Sequence, residues 1–195
     1  MDISIISSWD RRLFLLVNHN WGLPWLDDLM LLISSEKAWL VVGLVFWVVC
    51  HFCRHPLWLR ILWVGGVTIA FTDLFCFRLV KPLLHRLRPC YQMDVVRLLE
   101  ASCGSDYGLP SNHAANSMAF VVVILSLTRN WRWLWLLALP IVVGISRAYV
   151  GVHFPLDVLF GFLIGGLTAW VVSAFFFWKE SDILRVLNRV RRGIL

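Results

Sequence analysis

The stretch Ser146-Arg147-Ala148-Tyr149-Val150-Gly151-Val152-His153-Phe154-Pro155-Leu156-Asp157 separates two apolar runs, Trp131–Ile145 and Asp157–Trp178. Such runs approach the roughly 20 residues that a helix needs to cross a bilayer. Pro155 suits the first turn of the second helix, where its missing N–H is not needed. His153 and Asp157 then stand one helical turn apart on one face. Working outward, Glu36–Phe52, Leu57–Val80 and His113–Leu127 are further apolar runs. The fold expected is all-α: a polytopic membrane bundle of about five to six transmembrane helices. The third and fourth runs are short and are expected to extend into their flanks.

Composition supports a membrane protein. The 195 residues are 59% hydrophobic and 15% charged, with mean hydropathy +0.75. Soluble domains carry about a quarter charged residues. A soluble chain this small has too little interior to bury several all-apolar helices. The net charge of +6 raises the question of nucleic acid. The basic residues instead sit at the ends of apolar segments, as the positive-inside rule requires, so no nucleic-acid partner is expected. Trp39, Trp58, Trp131, Trp133 and Trp178 also lie near segment ends, where indole favours the interface. Asp2 and Asp10 are acidic where a cleavable signal would be basic, so none is expected.

Three regions follow. In residues 1–35, Leu13–Val17 and Leu29–Ile33 are too short to span, and Asn18-His19-Asn20 and Gly22-Leu23-Pro24 interrupt them. Interfacial helices are expected there, with a re-entrant or sixth short span as the alternative. Residues 36–178 form the transmembrane domain. Residues 179–195 read as a basic amphipathic tail on anionic lipid, with Ile183, Leu187 and Val190 on one face and Arg185, Arg189 and Arg192 on another. A plain stop-transfer tail is the alternative. Helix counting places Arg54, Arg129, Arg132 and the tail on one side, expected to be cytoplasmic. The long loop 81–112 and the 146–157 turn then share the opposite face.

That face gathers three polar clusters: Lys81, Arg88 and Pro89; Pro110-Ser111-Asn112-His113; and Ser146-Arg147 with His153 and Asp157. Taken singly, each has an ordinary reading. Lys81, His85, Arg86 and Arg88 suit a juxtamembrane patch on lipid headgroups. Ser111 ahead of an apolar run suits an N-cap. A His–Asp pair one turn apart is often a simple hydrogen bond or half of a metal site.

The order and spacing K-x6-RP, PS-N-H and SR-x5-H-x3-D together resemble the signature of the type 2 phosphatidic acid phosphatase (PAP2) superfamily, which also holds vanadium haloperoxidases. The resemblance runs from about Asp73 to Phe160. It implies that His153 is a nucleophile forming a phosphohistidine, with Asp157 accepting its ring N–H. His113 is implied as general acid and then base. Lys81, Arg88 and Arg147 are implied to hold the phosphoryl oxygens, with Ser111, Asn112 and the backbone N–H groups at the helix start adding donors. Those cations and donors supply the charge, so no metal or cofactor is implied. One position departs: the middle motif usually reads Pro-Ser-Gly-His, and Asn112 replaces the glycine.

Around these, Asp73 is expected to pair with Arg78 or cap a turn. Asn116 and Ser117 are expected to line helix contacts, and Tyr149 to wall the pocket. Arg86 and His85 are expected to touch the headgroup without a catalytic part. Cys90 and Cys103, in one extracytoplasmic loop, are expected to form a disulfide bracing a lid. Cys50, Cys53 and Cys76 are expected to be reduced.

The resemblance implies a bacterial inner-membrane enzyme with its site facing the periplasm. It would remove a terminal phosphate from a membrane lipid phosphate or pyrophosphate. Undecaprenyl pyrophosphate is the favoured substrate, and lipid A, phosphatidylglycerol phosphate and phosphatidic acid are the rivals. Two other classes stay open: a non-hydrolytic lipid or phosphate transporter using the same cations, and a metalloenzyme built on His113, His153 and Asp157.

Overall fold

A computed structural model describes the backbone of residues 3–191 and the side chains of residues 8–177. Helix α1 (Ile3–Leu15) passes through a π turn at Leu16–Asn20, and α2 (Pro24–Ser34) follows. The chain then bends by 60° into α3 (Glu36–Phe52). Ser35 causes the break, because its side chain accepts from Ala38 N and starts a new helix, with Glu36 in its first turn. Helix α4 (Pro56–Phe75) continues through a π turn at Cys76–Val80 into α5 (Lys81–Leu84), and His85 ends it in the left-handed region. The short α6 (Pro89–Gln92) opens the long loop. Helix α7 (Asn112–Thr128) follows, then a 3-10 segment (Trp131–Leu137) leading into α8 (Ala138–Tyr149), and α9 (Pro155–Arg191). The expected amphipathic faces of 179–195 lie outside the described side chains.

Among the described residues, three helices are long and apolar enough to cross a membrane: Pro56–Leu84, Trp131–Tyr149 and Pro155–Phe177. The bent pair of α2 and α3 makes a fourth when counted as one span, and Asn112–Thr128 is a shorter apolar helix. The second expected run therefore continues beyond Val80 to Leu84. The π turn changes the helical phase there. Lys81 is buried, while Leu79 and Leu83 on either side are exposed.

Helix α7 is central and packs against α9, α4 and α8. Val64, Ala119, Val123 and Ala169 form the core of that three-helix contact. Small residues let α7 and α9 meet backbone to backbone. A Cβ at Gly165 would lie 2.0 Å from the Ala115 carbonyl oxygen, and one at Gly161 would lie 2.6 Å from that of Ser111. Thr72 and Thr168 share a 2.7 Å hydroxyl hydrogen bond that ties α4 to α9.

The N-terminal helices cover the loops at the other end of the bundle. Asn18 donates to the carbonyls of Arg97 (2.9 Å) and Tyr149 (2.8 Å). Tyr149 donates to Asp27 at 2.6 Å, and Arg97 donates to the same carboxylate at 2.8 Å. Tyr149 thus faces α2 and is fully buried there, not walling the pocket as expected. Gly151 sits at φ +92 where Arg97 O would be 2.8 Å from a Cβ, so this turn requires glycine.

Candidate active site

Lys81 opens α5, just past the π turn that continues α4, and Arg88 stands at the start of α6. Asn112 and His113 open α7. Arg147 lies in the last turn of α8, and His153 lies between α8 and α9. All six line one cavity of about 780 Å³. Helix ends meet here because the turn 149–155 folds against the long loop. Leu99 N donates to Val150 O, and Ser111 N donates to Asp157 O at 2.9 Å. That second bond places the start of α7 directly on the start of α9.

Asp157 lies behind His153. Its Oδ2 accepts from Phe154 N at 2.9 Å, which caps α9, and stands 3.5 Å from His153 Nδ1. Such catalytic contacts are often long before substrate binds. His153 is fully buried. Burial first, then the Arg88, Arg147 and Lys81 cations, hold its imidazole well below the ordinary range, so it rests neutral. A neutral ring keeps the free lone pair that a nucleophile needs.

Among the described residues, the buried side-chain polar atoms left without a partner include Arg88 Nε, His113 Nε2 and Arg147 Nε, on three residues that line this cavity. Buried polar atoms are normally satisfied. Several orphaned donors around three cations form a cradle for an anion. Ser111 corrects an expectation. It occupies the N-cap position, but its hydroxyl makes no cap bond.

Asp73 likewise does not pair with Arg78. Its Oδ1 accepts from Asn112 Nδ2 at 2.8 Å and from Asn116 Nδ2 at 3.0 Å. Ser117 bonds only its own helix, to Ala114 O. A disulfide joins Cys90 to Cys103, with Cα atoms 6.4 Å apart. Cys103 and Gly104 lie on the cavity wall. Among the described residues, no three His, Cys, Asp or Glu side chains converge as a metal-ligand cluster.

The PAP2 superfamily matches residues 58–181. The chain belongs to the PAP2 superfamily. The lipid A 4'-phosphatase of Bacteroides thetaiotaomicron is 27% identical over 87% of this chain and 77% of that protein. The undecaprenyl-diphosphatase of Sulfolobus acidocaldarius is 30% identical over 82% of this chain and 73% of that protein. The crystal structure of a transmembrane PAP2 type phosphatidylglycerolphosphate phosphatase from Bacillus subtilis aligns with TM-score 0.64 and 27% identity, covering 88% of this chain and 86% of that one. The crystal structure of Aquifex aeolicus LpxE aligns with TM-score 0.55 and 25% identity, covering 83% of this chain and 92% of that one. This PAP2 chain is a membrane enzyme of the lipid phosphatase class.

Several residues of the PAP2 site lie outside the motifs. Glu100 accepts from Arg147 Nη1 at 2.6 Å, and Ser34 shares the same guanidinium. Glu36 Oε1 stands 3.5 Å from His113 Nε2. Arg86 donates to Asp157 Oδ1 at 2.7 Å and to Asp10. The headgroup contact expected of Arg86 is therefore replaced by a contact with the dyad. No local pattern marks these residues, because their partners lie far along the chain. The Ser35-Glu36 helix start was the one available signal near Ser34 and Glu36.

Proposed function

We propose that this PAP2 enzyme removes the terminal phosphate of a membrane lipid phosphate or diphosphate through a phosphohistidine. The observation that carries this reading is the set of orphaned nitrogens on Arg88, His113 and Arg147, three residues that line one cavity together with Lys81 and His153. In the first step the free ring nitrogen of His153 forms a bond to phosphorus. The bond from phosphorus to the leaving oxygen breaks, and His113 gives that oxygen its proton. Asp157 accepts a hydrogen bond from Nδ1–H, without taking the proton, and balances the charge that develops on the ring. Lys81, Arg88 and Arg147 stabilise the phosphoryl oxygens. Water then attacks the phosphohistidine, His113 takes its proton, and inorganic phosphate leaves. Asn112 and Ser111 hold the helix N-terminus that adds backbone donors.

Undecaprenyl diphosphate is the substrate favoured here. The cavity extends past the three cations to Lys37 on α3, which gives a second phosphate a place and a counter-charge. Leu31, Phe77 and Leu99 supply an apolar part of the wall. Lipid A phosphate is the second reading. It rests on likeness to lipid A 4'-phosphatases of Bacteroides thetaiotaomicron and Porphyromonas gingivalis over 87% and 88% of this chain. A site on the periplasmic face of a bacterial inner membrane is supported by Arg54, Arg129 and Arg132 at the opposite helix ends. Residues 36–178 carry the chemistry and 1–35 brace it. The Cys90–Cys103 bridge braces the loop over the phosphate.

Phosphate release in detergent, compared as kcat/KM across undecaprenyl diphosphate, lipid A, phosphatidylglycerol phosphate and phosphatidic acid, ranks the substrates. His153→Ala should abolish turnover and the acid-labile phosphoenzyme. Retained turnover in that variant would refute the mechanism.

A further inference from the structure

Behind the dyad, away from the cavity, a second charged chain runs into the protein. Arg86 Nη1 donates to Asp157 Oδ1 at 2.7 Å, and Arg86 Nη2 donates to Asp10 Oδ2. Asp10 also accepts from Leu156 N at 2.9 Å with its other oxygen, so it holds the first turn of α9. Asp10 and Asp157 have almost no exposed side-chain surface, whereas Arg86 keeps 23%. The guanidinium lies over the Phe154 ring at 4.6 Å, and Phe154 packs edge-on against Phe14 at 5.4 Å. Asp10 and Phe14 are four residues apart on α1, so one face of that helix fixes Arg86 by charge and by packing. None of Asp10, Arg86 and Asp157 lines the cavity.

We infer that Arg86 and Asp10 are positioning residues for the reaction, and that α1 completes the site through them. The electrostatics of the chain explain why both are needed. An isolated buried carboxylate is strongly disfavoured, so Asp157 needs a cation to remain an anion. Arg86 alone would neutralise it and leave His153 without a negative partner. Asp10 restores the balance. The three groups together carry one net negative charge, which faces His153 through Asp157 Oδ2. That charge stabilises the imidazole cation as phosphorus bonds to the ring. Arg86 also occupies Oδ1, so Oδ2 is left to turn towards the ring. A clamp serving only to hold α1 in place would alter stability without a specific effect on the chemical step.

The inference rests on His153 being the nucleophile. The test uses the full-length enzyme in detergent, with phosphate release as the assay and His153→Ala as the reference. Arg86→Gln should lower kcat about 10- to 100-fold, the range for groups that orient a reactive histidine, with KM and the Ki of inorganic phosphate unchanged. Arg86→Lys should recover part of that loss. Asp10→Asn should also lower kcat, and Asp10→Asn combined with Arg86→Gln should be no slower than Arg86→Gln alone, because both act through one contact. An inactive His153→Ala beside an Arg86→Gln enzyme with kcat within about threefold of the parent would overturn the positioning role and leave the mechanism standing. A parallel rise in KM and in the phosphate Ki would also overturn it, by making Arg86 a phosphate ligand. If Arg86→Gln does not fold, an unchanged kcat in Asp10→Asn overturns the inference. An active His153→Ala would instead refute the mechanism beneath it.

Discussion

Asn112 stands where the PAP2 pattern carries glycine, and its side chain has work of its own. Its amide donates to Asp73 at 2.8 Å, beside the Asn116 amide at 3.0 Å. The substitution thus exchanges backbone freedom for a tie between α4 and the start of α7. Asn112→Gly should lower stability by about 1.5–3 kcal/mol, the scale of one hydrogen bond to a charged group, read as a thermal midpoint in detergent. Turnover should fall less than about tenfold, since the backbone N–H at that position remains. His153 makes a second prediction at this scale. Burial and then the Arg88, Arg147 and Lys81 cations hold its imidazole below the ordinary 6.5, while the unfolded chain titrates normally. Below pH 6.5 the unfolded state therefore binds a proton that the native state refuses, and stability falls as pH falls, by up to about 1.4 kcal/mol per unit. His153→Gln should lose that component, seen as a smaller drop in thermal midpoint between neutral and mildly acidic buffer. The sequence names His153 and Asp157 as partners because one helical turn separates them.

The seam between α7 and α9 sets the distance from the proposed phosphate cradle to the proposed nucleophile. Gly165 meets the Ala115 carbonyl, whereas the next residue, Gly166, has Met118 Cγ at 3.9 Å as its nearest neighbour. Gly165→Ala should push the helices apart at a cost of about 1–3 kcal/mol or more, as overpacking does. It should also lower turnover about 100-fold, because Ser111 and His113 would shift relative to Asp157. Gly166→Ala should leave both near the parent value. Thermal midpoint and phosphate release measured on the pair check this. The apolar runs and the Pro155 start were legible at this level. The 60° bend at Ser35 was not, since its effect is to bring Ser34 and Glu36 to the site from a helix with no catalytic motif. Where the helix through Lys81 ends was also missed, because a π turn continues it without altering the composition.

The bundle has its charged site at one end and Arg54, Arg129 and Arg132 at the other. Cys53 is exposed at that second end and provides a native label. With the site in the periplasm, a membrane-impermeant maleimide should modify Cys53 in inverted vesicles and not in intact cells. Labelling from outside would reverse the orientation. Covalent spacing alone determined much of this protein. Apolar run length dictated helices in lipid, since backbone groups there must bond within their own segment. Motif spacing dictated which residues meet over one turn, and basic flanks indicated which helix ends lie together. Tertiary packing decided the pairing of charges remote in sequence. Arg86 reaches Asp10 across 76 positions and Asp157 across 71, and Arg147 reaches Glu100 across 47. A lone arginine at a membrane surface has many partners open to it. Only the packing of α1 against the start of α9 removes water from Asp10 and Asp157 together, and the two buried carboxylates are then held by the one half-buried guanidinium between them.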